Sequence, residues 1–63
     1  MTLREATNIK LGDIVVLKPT KQPHKVTEIA FYRQSKTVQQ NCFVFTLENG
    51  EKFSHDWLWR VNN

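Results

Sequence analysis

Apolar residues along this chain come in short bursts, and within each burst they alternate with polar or small residues instead of recurring at helical spacing. The clearest case is Phe43, Phe45 and Leu47 set against Cys42, Val44 and Thr46, which predicts a strand over about Asn41 to Leu47. A second strand is expected over about Ile14 to Lys18, a β-branched run entered through the turn Lys10-Leu11-Gly12-Asp13. Gly12 supplies the positive φ that such a turn requires, and Pro19 ends the run because it has no N–H for a ladder. Pro19 to His24, bracketed by two prolines, then reads as a loop. The next strand covers about Lys25 to Tyr32, with Val26, Ile29 and Phe31 as its inward positions. The three-residue step from Val26 to Ile29 breaks the alternation and predicts a bulge or a sharp bend. Arg33 to Gln40 has Val38 as its one large apolar residue and reads as a polar loop or a splayed strand end.

The dipeptide Asn49-Gly50 is the strongest hairpin signal in the chain. A two-residue turn would pair Thr46 with Phe53 and place Phe53 on the face opposite Phe43 and Phe45. A three-residue loop, Glu48 to Gly50 with Gly50 left-handed, pairs Phe45 with Phe53 and gathers the three rings on one face. The second register is preferred, because a one-residue slip moves a whole apolar set out of the core. A strand over Glu51 to Ser54 follows. Ser54 to Trp57 then reads as one helical turn capped by Ser54 or Asp56, and a last strand over about Trp59 to Val61 leaves Leu58 and Val61 in the core. At the other end, Thr2 and Glu5 have capping-box spacing, so residues 1–8 form either a single helical turn or a frayed segment ahead of a domain over residues 9–63.

Five short strands with a single helical turn before the last define an all-β fold. The layout resembles a five-stranded SH3-like small barrel of the KOW and Tudor kind. It is most similar to the YodC-like family of small bacterial proteins, on the residues Gly12-Asp13-Ile14-Val15-Val16-Leu17-Lys18, Lys25-Val26-Thr27-Glu28-Ile29, and Glu51-Lys52-Phe53 leading to Leu58. The proline-bracketed loop and the Trp57-Leu58-Trp59 ending depart from that pattern. The resemblance implies no catalytic residues and no particular ligand.

Size changes the functional picture more than composition does. At 63 residues the chain is one domain, and such a domain buries only about 60% of the surface its unfolded chain exposes. A deep catalytic cleft is hard to carve from so little core. Cys42 is the single cysteine, so no internal disulfide can form, and a small domain without staples fits a reducing, cytoplasmic setting. Neither a membrane-length apolar run nor a leader pattern is read from the sequence. Nine Lys and Arg against six Asp and Glu give +3, a mild lean towards anionic partners.

Candidate chemistry is sparse. Ser54-His55-Asp56 contains the residue types of a hydrolase triad, but sequence neighbours point in different directions, and no Gly-x-Ser-x-Gly elbow is present. His24, His55 and Cys42 lack metal-ligand spacing, and two isolated glycines cannot build a phosphate-cradling loop. No cofactor, metal, catalytic residue or small-molecule substrate is therefore expected, and the chain reads as a non-enzymatic recognition module, a monomer or weak homodimer. Two surfaces can serve recognition. Lys18, Lys21, Lys25, Arg33 and Lys36 would contact nucleic acid together with Tyr32 or Trp57, cations meeting phosphates and a ring stacking on bases. Alternatively, Tyr32, Trp57 and Trp59 would present an aromatic patch to a larger protein. Against both stand plainer readings, in which the lysines are a solvated coat and the tryptophans a lid over the core.

Overall fold

The β-branched run after Gly12 is a strand, β1 (Ile14–Leu17), and Gly12 has the positive φ its turn requires, +90°. The fold is taken from a computed structural model that describes residues 1–61. The other strands are β2 (Gln22–Tyr32), β3 (Cys42–Leu47), β4 (Lys52–Ser54) and β5 (Leu58–Arg60), with a single 3-10 turn, His55–Trp57, between the last two. All neighbours pair antiparallel in one sheet of order β4-β3-β2-β1-β5. The long β2 is shared: its first half pairs with β1 and its second half with β3. Among the described residues no ladder joins the end strands β4 and β5, so the sheet is open.

The register of β2 against β3 shifts between Val26 and Glu28, which is the bulge expected from the broken alternation. It lets Val26, Ile29 and Phe31 share one face, opposite Leu47, Phe45 and Phe43 respectively. The β3–β4 hairpin has the three-residue loop. Gly50 donates to Leu47 O at 2.9 Å, Leu47 donates to Glu51 O at 2.8 Å, Gly50 has φ +87°, and Phe45 stands opposite Phe53. The buried apolar set is Val15, Leu17, Val26, Phe45, Leu47 and Leu58, joined by Ala6 and Ile9, with Met1, Ile29, Phe43 and Phe53 packed against it.

Residues 1–8 are part of this packing. The helix α1 (Leu3–Ala6) carries the capping box in full, Glu5 N–H donating to Thr2 Oγ1 at 3.1 Å and Thr2 N–H to Glu5 Oε1 at 2.8 Å. A four-residue helix has no stability of its own in water. Burial of Ala6, and of Ile9 just beyond, is what holds it, together with the Met1 amino group donating to the carbonyls of His55 and Leu58.

Four expectations are corrected. Pro19 to His24 is not all loop: β2 starts at Gln22, and Pro23 lies in the ladder opposite Val16. The alternation explains why proline is tolerated there. Val26 donates to Asp13 O at 2.9 Å, so in antiparallel order Pro23 turns its nitrogen away from β1, towards a side that β3 does not reach until Val26. Phe31 is on the inner face but not in the core. Its ring lies 4.8 Å from that of Phe43 in a tilted contact, yet the β2–β3 ribbon runs past the edge of the packed centre and leaves it 48% exposed. Val61 is also outside the core, 37% exposed, and the last strand is Leu58–Arg60. Leu58 and Val61 are three apart, a step that in extended chain puts them on opposite faces. Finally, Ser54 stands at the start of the 3-10 turn without a side-chain capping bond.

Candidate functional site

The outer face of β1 and its two neighbours carries an apolar row in strict register: Trp59 on β5, Val16 on β1, Pro23 on β2. Alternation dictates it. With Leu17 and Leu58 opposite each other and turned into the core, Val16 and Trp59 must face out. Ile14 and Lys25 form the next outward pair. Trp57 enters at the other end, where Lys18 N–H donates to Trp57 O at 2.9 Å. The two indoles are 53% and 43% exposed, for Trp57 and Trp59, so neither is a lid on the core. The Lys18 ammonium stands 6.0 Å from the centre of the Trp59 ring. That is the outer limit of a cation–π contact, worth about 0.5–1 kcal/mol at an exposed site, so the ammonium is readily drawn off by an anion.

Lys21 sits at the tip of the same hairpin. Its N–H donates to Leu17 O at 2.7 Å and its φ of 59° is left-handed, which a β-carbon disfavours. The site residues Lys18, Lys21, Lys25, Trp57 and Trp59 thus lie together around β1, β5 and the start of β2. Tyr32, Arg33 and Lys36 do not join them. They lie at or beyond the far end of β2, eleven residues long and so about 30–36 Å of path, against a longest molecular dimension of 34 Å. Tyr32 is 51% exposed there, opposite Cys42 on the outer side of β3. Val16, Pro23 and Ile14 are members of the tryptophan face that the sequence reading missed. The signal was present in the parity of β1, but its use needed the β1–β5 pairing.

His55 is the one buried polar side chain of the described residues. β4 ends at Ser54, opposite Val44, so the next N–H of β3 towards that side, at Phe43, has no strand carbonyl to meet. His55 Nδ1 accepts it at 3.3 Å, which leaves the proton on Nε2, 3.2 Å from Asp56 Oδ1. His55 Nδ1 thus holds the sheet's end, and Nε2 faces the carboxylate of its exposed neighbour Asp56. Glu48 ties the two hairpins together. Its Oε2 accepts from Lys25 N at 2.7 Å, Glu48 N–H donates to Lys25 O at 3.0 Å, and Oε1 is 3.3 Å from His24 Nδ1. Desolvation pushes its carboxyl pKa up, but the N–H groups of Glu48 and Lys25, with His24 alongside, outweigh it and hold the pKa below the usual carboxylate value.

An open groove of about 450 Å³ runs beside Ile9, Gly12, Asp13, Ile14, Arg60 and Val61. Among the described residues no group of three or more His, Cys, Asp or Glu is placed to hold a metal ion, and no helix is long and apolar enough to cross a membrane. Comparison with protein-family models, curated proteins and solved structures gave no match.

Proposed function

We propose that this chain is a non-enzymatic recognition module that contacts nucleic acid through the face holding Lys18, Lys21, Lys25, Trp57 and Trp59, its five strands forming an SH3-like barrel. The observation that carries the reading is the pair of half-exposed indoles with a lysine ammonium 6.0 Å from one of them. Rings offer stacking surfaces to bases, and mobile ammonium groups meet phosphates. The barrel reading is supported by the bulged β2 shared between two three-stranded halves and by the 3-10 turn before β5. Tyr32, Arg33 and Lys36 fall outside the proposed face.

Labelled oligonucleotides, single- and double-stranded, titrated by fluorescence anisotropy at about 50 and 200 mM salt, test the reading. Binding that weakens as salt rises is expected; no binding at the lower salt would end it. A protein partner is the second reading, favoured by Val16, Pro23 and Ile14, since aliphatic side chains add nothing to phosphate contact but suit a protein hot spot. Its mark would be a captured protein lost on Trp59→Ala, with no affinity for oligonucleotides.

A further inference from the structure

We propose that the bound strand is single, with Trp57 and Trp59 each taking one base and Lys18 the phosphate between them; this rests on the nucleic-acid reading above. Leu58 is fully buried and extended, with φ −126° and ψ 147°, so it anchors the segment and sets the step between its neighbours. Two α-carbons flanking one extended residue lie about 6–7 Å apart, and both tryptophans are half exposed. Bases stacked along one strand of a duplex are 3.4 Å apart. Two bases resting on these two rings must therefore be unstacked from each other, which an open strand permits and a paired one resists.

The charge is placed to match. Lys18 is fixed beside Trp57 by its backbone hydrogen bond, while its side chain reaches back to Trp59. The ammonium thus stands over the Trp59 ring, within reach of a phosphate next to a base resting there. Trp59 is flanked in register by Val16, with Pro23 beyond it, so apolar residues stand beside the ring. With three lysines on this face, the number of phosphates neutralised is at most about three, and the slope of log affinity on log salt is about −2 for a single strand.

Both tryptophans of the chain are on this face, so intrinsic fluorescence reads the site directly. Titration with a single strand of about ten nucleotides, and with a blunt duplex of the same sequence, is the test. The single strand should quench the emission, shield both indoles from acrylamide and bind about tenfold or more tightly than the duplex. Trp57→Leu and Trp59→Leu should each weaken single-strand binding about 5- to 100-fold. Lys36→Gln, at the far end of β2, should leave it unchanged. Equal or tighter duplex binding without indole shielding would overturn the single-strand inference and leave the nucleic-acid reading standing. No binding of either probe at low salt would overturn both. Should a tryptophan variant fail to fold by circular dichroism, acrylamide shielding in the unaltered chain still decides the matter.

Discussion

The two hairpins of this protein meet the same backbone demand with different residues. Each closes its loop with a residue at positive φ: Gly50 at +87° between β3 and β4, Lys21 at 59° between β1 and β2. Glycine adopts that region freely, whereas a residue with a β-carbon pays roughly 1–2 kcal/mol for it. The β3–β4 hairpin also sends Phe45 and Phe53 inward, while the β1–β2 hairpin turns Val16, Pro23 and Lys25 outward beside the tryptophans. Both hairpins supply the core, Val15, Leu17 and Val26 from one and Phe45 and Leu47 from the other, but only the β1–β2 hairpin accepts strain at its tip and carries the candidate surface on its outer face. Local strain of that kind tends to gather where a surface is used.

The strongest way to break the contrast is Phe45→Ala. The ring is fully buried, so its loss should cost about 3–5 kcal/mol, most of the roughly 3–9 kcal/mol expected of a domain this size. Trp59→Ala, on β5 beside the other hairpin, should cost far less, and chemical denaturation of both variants checks the difference. Equal losses would mean that the tryptophan face is structural.

Exchanging the loop residues sharpens it. Gly50→Val forces a β-branched side chain into the left-handed region and should destabilise by about 2 kcal/mol or slightly more. Lys21→Gly should go the other way, by up to about 1 kcal/mol, because relief of about 1–2 kcal/mol of strain exceeds the roughly 0.5–1 kcal/mol of added unfolded-state freedom. Thermal melts of the pair report both signs.

The smallest effect concerns the carboxylate between the hairpins. Glu48 has its folded pKa below the ordinary value of 4.5, so in the unfolded chain it holds its proton more readily. Its contribution is present above about pH 4.5 and is lost as pH falls through the folded pKa. Glu5, lowered chiefly by the Thr2 backbone N–H, behaves the same way. Melting temperature followed from pH 6 to pH 3 should fall more shallowly in Glu48→Gln than in the parent chain. Parallel curves would remove Glu48 as the link.

Much of this fold was legible because it is encoded at short range. The pleat period marked Phe43, Phe45 and Leu47, the skipped position after Val26 marked the bulge, and Asn49-Gly50 with the demand for one aromatic face fixed a register. Thr2 and Glu5 showed their helix turn in the same way. The β1–β2 hairpin was less legible, since nothing in Lys18-Pro19-Thr20-Lys21 advertises a left-handed lysine, and Pro23 argued against the ladder it joins. Of the candidate surface, the residue types were visible in the sequence but their grouping was not.

The amino-acid order by itself determined most of the strands, the turns at Gly12 and Gly50 and which side chains of β2 and β3 share a face, because those depend on dihedral preferences and a two-residue period. Only the tertiary arrangement decided that β5 lies beside β1, bringing Trp57 and Trp59 to Lys18, and that Tyr32, Arg33 and Lys36 lie at the opposite end of β2. Long-range pairing is selected by the burial of Leu17 against Leu58, a contact between residues forty-one positions apart that no local pattern specifies.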